Sequence, residues 1–211
     1  MMFSVLSEHE IRRIHEASLS VLRTAGVHVP HAEALDRFEE MGAIVDKDRQ
    51  WVCIPEKVVA WALEVCGKEF TLYGRDRTQT AAFGVGERNY NTTAGEAFWV
   101  EDDSSQRRYA SLADVATAAR LVDVLPNINI VGAMSDPHEL PPEYRCVYVA
   151  AELLKNTTKP IMFWFHDRAS AKFILELFEI VAGSKEEAAR HPITYPFLEP
   201  ISPLRFPAHG I

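Results

Sequence analysis

Long apolar runs are missing from this chain. No stretch reaches the roughly 18 residues that a membrane span requires, which argues against an integral membrane protein. Basic character is scarce as well: the 211 residues carry 22 Lys and Arg against 30 Asp and Glu, a formal net charge of -8. The tight basic pairs are only Arg12-Arg13 and Arg107-Arg108, far apart in the chain. Phosphate backbones are held by clustered cations, so nucleic acid is excluded as the main partner. Cysteine is sparse, since Cys53, Cys66 and Cys146 are odd in number, widely spaced and form no C-x-x-C pair. That pattern fits small half-buried side chains in a reducing compartment better than a disulfide framework. Met1 to Glu10 lacks a basic segment followed by an apolar one, so no signal peptide is read there. The Asn156-Thr157-Thr158 sequon is then unused, and the reading is a cytoplasmic protein. There is no G-x-S-x-G elbow and no G-K-[ST] loop, and Gly84-Val85-Gly86 is too short and wrongly placed for a dinucleotide fingerprint.

What is present is an ordinary globular composition, 47% hydrophobic and 25% charged, with a clear change of period along the chain. Ser7 and Glu10 form a capping box, after which Ile11, Ile14, Ser18, Leu22 and Ala25 keep helical spacing up to Gly26. A second helix is expected over His31 to Met41, with Leu35, Phe38 and Met41 on one face. A third opens at Pro55, carries Val58, Ala62 and Val65, and closes at Gly67. Brief strands are expected at Ala43–Val45 and Trp51–Ile54. From Glu69 the pattern shifts to short β-type runs at Phe70–Tyr73, Thr80–Phe83, Arg88–Asn91 and Ala97–Val100, split by glycines. These runs predict a small antiparallel meander, with Glu101–Gln106 as a polar turn.

The last half alternates helix and strand. Ser111 and Asp114 repeat the capping signal ahead of Val115, Ala119 and Val122, and Asn127–Gly132 follows as a strand. Pro141–Asn156 predicts a helix with Tyr144, Val147, Ala151 and Leu154 inward. Pro160–Phe165 predicts a continuous apolar strand, Arg168–Ala182 a helix and Ile193–Phe197 a further strand. Apolar strands separated by amphipathic helices indicate parallel βαβ units. A complete (β/α)₈ barrel takes about 250 residues and eight strands, whereas three such units are legible before Ile211. The expected class is therefore α/β: an N-terminal helical and small β-meander region over residues 1–110, then an incomplete TIM-type barrel over 111–211. A complete small α/β sandwich is the alternative, but it would leave an apolar sheet edge exposed.

Five stretches carry a resemblance. LSEHEIRRIHEASLSVLRTAGVHVPHAEAL at the N-terminus resembles the opening of the trimethylamine methyltransferase family. FTLYGRD (Phe70–Asp76), SLADVATAARLVDVLPNINIVG (Ser111–Gly132), LLKNTTKPI (Leu153–Ile161) and EPISPLRF (Glu199–Phe206) come after it in family order. The resemblance implies the N-terminal part of a barrel enzyme that moves a methyl group from a tertiary or quaternary methylamine, of trimethylamine or glycine betaine type, to cobalt. The corrinoid (cobalamin) would be carried by a separate partner protein and not by this chain alone. Family members are longer than this chain, so a fragment inactive by itself is expected, and the resemblance leaves pyrrolysine status and a homo-oligomer open. The competing readings are a non-catalytic truncated paralogue or interaction module and, more weakly, a metal-dependent barrel hydrolase.

Barrel enzymes hold substrate at the C-terminal ends of their strands. That rule selects Asp136 with Ser135 and His138 after one strand, His166 with Asp167 after the next, and Glu199 with Ser202 after the third; the Asn91–Glu96 loop adds Glu96, and Phe98 and Trp164 lie near the same mouth. A methylated ammonium is attracted to aromatic faces, at about 0.5–2 kcal/mol each, and to carboxylates. Glu96, Asp136 and Glu199 could supply charge, and Phe98 and Trp164 ring faces. No catalytic residue is assigned. Each candidate has a structural competitor: one of Trp164 and Phe165 must face the helices, and one of Phe98 and Trp99 must pack. His166-Asp167 could cap the helix from Arg168, and Asp136-Pro137 and Glu199-Pro200 are turn formers. His138, His166 and Asp136 lack the H-x-H pair expected of a barrel metal site, so no metal is assigned.

Overall fold

The computed structural model describes residues 5–101, 105–165, 167–195 and 200–208. It is a mixed α/β fold with N-terminal helices and several small β-sheets, none of them closed into a barrel among the described residues. The chain divides into two compact units, Met1–Cys66 with Glu199–Ile211, and Gly67–Leu198. No helix among the described residues is long and apolar enough to cross a membrane.

In the first unit α1 (Glu8–Thr24) starts at Ser7 with both halves of the capping box made. It is followed by β1 (Val27–His28), α2 (Ala32–Glu40), β2 (Ile44–Asp46), β3 (Trp51–Cys53) and α3 (Glu56–Val65). The three strands form an antiparallel sheet in the order β1-β3-β2, over a core of Val27, Val29, Leu35, Ala43 and Val52. His31 caps α2, its Nδ1 accepting from Ala34 N at 3.3 Å. Gly26 joins α1 to β1 at φ +74, where a Cβ would lie 2.5 Å from Trp51 Nε1 and 2.7 Å from Val52 O. Only glycine fits both that backbone and that approach. The stretch ending in Leu204-Arg205-Phe206 returns to β1, with His28 N donating to Leu204 O and Phe206 N to His28 O, each at 2.9 Å.

The second unit holds β4 (Phe70–Tyr73), β5 (Thr80–Phe83), β6 (Phe98–Glu101), β7 (Gln106–Tyr109), α4 (Leu112–Asp123), β8 (Val131–Gly132), α5 (Pro142–Asn156), β9 (Ile161–Met162), α6 (Arg168–Ala182) and α7 (Lys185–Arg190). The expected meander is instead two separate antiparallel hairpins, β4–β5 and β6–β7. Gln106–Tyr109, where the sequence pattern predicts no strand, is one, with every residue exposed. It shows no apolar alternation, and its pairing rests on cross-strand contacts, with Phe98 and Tyr109 stacked at 5.1 Å.

Between the hairpins the chain does something different. Asn91 bridges Ile130 and Glu96 bridges Ser135, both in parallel. Val131 and Gly132 pair in parallel with Ile161 and Met162, and Ile161 bridges Thr194, again in parallel. Four short rungs therefore run side by side in chain order, one more than the three strands expected. The extra rung, 91–96, hides in small and polar residues. A Cβ on Gly132 would lie 2.0 Å from Thr93 O, so the two rungs meet where no side chain can intervene.

The rungs alternate as strands must. Val131, Ala133, Ile161, Phe163 and Ile193 join α4, α5 and α6 in one core, while Ile130, Met162 and Ala94 pack with Leu72 and Ala81 of the β4–β5 hairpin in another. The α5 face agrees with the expectation in part: Leu154 is buried and Val147 packs on the core, but Cys146, Val149, Ala150 and Leu153 are buried as well and Tyr144 is exposed. The stripe is wider because α5 packs between α4 and α6 as well as on the sheet.

Candidate active site

At the N-terminal end of the rungs the residues are occupied with holding the fold. Tyr73 N donates to Pro192 O and Asp76 N to Thr158 O, which seats the β4–β5 hairpin across that end. Lys159, buried at 6% exposure, donates from Nζ to the carbonyls of Val122 (2.9 Å), Leu125 (2.7 Å) and Ile128 (2.9 Å). It thereby ties the last turn of α4, through Val122 O, to the Leu125–Ile128 stretch that follows it. Burial holds its pKa below the usual lysine value, against the opposing charge of Asp123. Burial would raise the Asp123 pKa, but bonds from Thr158 N, Thr157 Oγ1 and Thr158 Oγ1, with Lys159, hold it low.

Three of the sequence-predicted candidates, Glu96, Asp136 and Trp164, lie at the C-terminal ends. Glu96 N donates to Met134 O at 3.2 Å and Asp136 N to Glu96 O at 2.9 Å, so the first and second rungs stay locked to their ends. Trp164, on the third rung, reaches across the second and donates from Nε1 to Gly95 O at 3.0 Å. Of the two adjacent aromatics, Trp164 lies with the hairpin-side core and Phe165 with the helix-side core. The Glu96 side chain is exposed, and its carboxylate makes no ion pair or hydrogen bond among the described residues. Asp136 is held by Arg145, Nη1 to Oδ2 at 2.7 Å, and Arg145 also makes two bonds to Leu140 O.

Phe98 is exposed and Trp99 half-buried, so the first faces solvent beside Tyr109, whose ring lies 4.5 Å from that of His138. Ser135 is buried, with no hydrogen-bond partner for its Oγ among the described residues. With Ala94, Asp136, Cys146, Val149 and Trp164 it lines a cavity of about 10 Å³, room for about one water molecule. His166 and Glu199 lie outside the described residues. Asp167 caps α6, the structural role open to it from the sequence, accepting from Ser170 N at 2.7 Å.

The structure thus brings Glu96, Asp136 and Trp164 to one end of the rungs, with Phe98 on the hairpin that comes after Glu96. Sequence reasoning misses Arg145 and Tyr109. Arg145 carries a weak signal, an arginine in the first turn of the helix after Asp136. Tyr109 carries none, since the strand that places it has no pattern to reveal it. Among the described residues no group of three or more His, Cys, Asp or Glu is placed to hold a metal ion. A roomier groove, about 540 Å³, lies elsewhere, along α6, α7 and 193–194, lined by Leu175, Phe178 and Ile193 among others. It belongs to the helix-covered side of the rungs and not to their C-terminal ends.

A family model described as trimethylamine methyltransferase (MTTB) matches residues 1–210. The chain belongs to the trimethylamine methyltransferase family. Within it, a glycine betaine methyltransferase of Desulfitobacterium hafniense (strain Y51) is 24% identical over 205 residues, covering 97% of this chain and 42% of that protein. A trimethylamine methyltransferase MttB of D. hafniense (strain DSM 10664 / DCB-2) is 28% identical over 205 residues, 97% of this chain and 41% of its own length. The MttB protein of Methanosarcina thermophila is 29% identical over 219 residues, 95% and 43% respectively. The chain spans about two fifths of the length of these relatives.

Proposed function

We propose that this chain is part of a corrinoid-dependent amine methyltransferase, and that its four parallel rungs are half of an eight-stranded TIM-type barrel. The observation that carries this is the rung order: segments at 91–96, 130–135, 161–162 and 194 are neighbours in chain order, with helices between successive rungs. That is how a (β/α) barrel advances. The division at residue 110 read from the sequence then marks where regular helix–strand alternation begins.

The substrate in this reading is a tertiary or quaternary methylamine of trimethylamine or glycine betaine type. Glu96, Phe98, Asp136, Trp164, His166 and Glu199 are its proposed surroundings. A corrinoid on a separate protein supplies the cobalt that accepts the methyl group. This chain's task is to hold the ammonium so that one methyl carbon points outward, and to keep water from it. The Trp164 indole suits that task because its N–H bond to Gly95 O fixes the ring at the C-terminal ends of the rungs.

A chimera tests the proposal. This chain would replace the matching 42% of the D. hafniense glycine betaine methyltransferase. Methyl transfer would be followed by loss of cobalt(I) absorbance of a corrinoid protein, with glycine betaine and trimethylamine as donors. Transfer from at least one donor is expected. A folded chimera that transfers from neither sinks the proposal.

A further inference from the structure

The groove of about 540 Å³ along α6 lies beside the last rung. Thr194 pairs with Ile161 on one side, and no strand pairs with its other side among the described residues. At that edge α6 lines the groove with Ala171, Leu175, Phe178 and Ala182, at spacings of four, three and four residues. Such spacing marks one face of a helix. Its middle is large and apolar and its ends are small, so a second helix can lie close along it. Leu175, in that middle, is 60% exposed.

The charges around the groove give it a direction. Tyr73 N bonds to Pro192 O and Asp76 N to Thr158 O, so the loop carrying Arg75 and Arg77 sits at the N-terminal ends of the rungs. Arg75 Nε donates to Thr157 O at 3.0 Å, which holds it there. Arg77 and Lys185, also in the lining, make no hydrogen bond or ion pair among the described residues. Glu179 is the one carboxylate in the described lining. Cations so placed suit the C-terminus of a helix, which carries partial negative charge and open carbonyls. In a (β/α) barrel the helix after each strand runs back to the N-terminal ends and packs beside the preceding helix. The charge pattern and the barrel rule therefore ask for the same polarity.

Resting on the half-barrel reading above, we infer that this groove is a docking surface for one amphipathic helix, the one that comes next after the fourth rung, with its C-terminus against Arg77 and Lys185. The occupant belongs to the part of a family member that this chain, at about two fifths of its relatives' length, does not span.

Thiol labelling tests this without relying on activity. Leu175→Cys puts a thiol in the groove, and Ile180→Cys puts one on α6 outside the groove lining, where the side chain is 77% exposed. Each is made in the 211-residue chain and in the chimera described above. Iodoacetamide labelling is read by peptide mass spectrometry, which separates the new thiols from Cys53, Cys66 and Cys146. The Leu175→Cys thiol is expected to react at least tenfold more slowly in the chimera than in the chain alone, and the Ile180→Cys thiol equally in both. Adding Arg77→Glu should speed Leu175→Cys labelling about fivefold in the chimera, the effect of reversing one charge at a helix end, and leave the chain alone unchanged. Equal Leu175→Cys rates in a chimera that transfers methyl groups would sink the docking surface and leave the proposed function standing. Protection in a folded chimera that transfers from neither donor upholds the docking surface while the proposed function falls. If the Ile180→Cys thiol is protected as strongly, or if protection in the chain alone grows with its concentration, the groove is not this helix's surface. If Arg77→Glu has no effect, the assigned polarity is overturned.

Discussion

Lys159→Met is the most informative single perturbation of this fold. The substitution keeps the length of the side-chain stem and its apolar contacts, and removes the ammonium that bonds three carbonyls at 2.7–2.9 Å. A bond from a charged donor contributes about 1.5 kcal/mol net at the lower end of its range, so the three together amount to about 4.5 kcal/mol. Relief of the buried charge returns about 1–2 kcal/mol. The variant should therefore be less stable by about 3 kcal/mol, and α4 should lose its C-terminal end first.

Urea unfolding at neutral pH measures this directly, with an unchanged m-value marking an unchanged unfolded state. The pH dependence gives a second check. Burial lowers the Lys159 pKa in the folded protein, so between that value and the ordinary 10.5 the unfolded chain binds more protons. Wild-type stability relative to Lys159→Met should then rise as pH rises through that alkaline window. A variant as stable as the wild type, or more stable, refutes the reasoning. It would mean that burying the ammonium costs as much as its three bonds contribute.

Two further perturbations test neighbouring parts of the fold. Asp114 accepts from Arg108 through both oxygens, at 2.6 and 2.8 Å, and from Ser111, and the Arg108 bonds foremost lower its pKa to about 2. Its contribution is complete above the ordinary value of 3.8 and disappears as pH falls through about 2. Discounted for the exposure of Arg108, that contribution is about 1–2 kcal/mol; Asp114→Asn should lose it at pH 7 but not at pH 2 in urea titrations. Gly132→Ala would set a Cβ 2.0 Å from Thr93 O. It should cost more than about 3 kcal/mol and abolish hydrogen-exchange protection of the Met134 amide, and a fully protected variant would overturn the close-approach argument.

The site is legible in the sequence to the extent that strand ends are. Asp136 and Trp164 stand out because each belongs to the end of an apolar run long enough to read as a strand. The first rung does not, because residues 91–96, Asn-Thr-Thr-Ala-Gly-Glu, carry no alternation. They pair through backbone atoms against a glycine, and backbone pairing leaves no mark on side-chain pattern. The same reason hides β7. The α5 stripe deviates from its expected positions for a related cause: a helix wedged between two helices and a sheet buries a wider arc than one packed on a sheet alone.

The sequence by itself determined the helices and their caps, since Ser7 with Glu10 and Ser111 with Asp114 act over three residues. It also determined family membership, which rests on ordered stretches spread along the chain. Tertiary structure alone decided which rungs are neighbours, that Asp136 is taken by Arg145, and that Trp164 crosses the second rung to reach Gly95. Caps and helical stripes are local, so nearby residues specify them. Pairings between residues 69 positions apart depend on how every intervening element packs, and no short window of sequence contains that information.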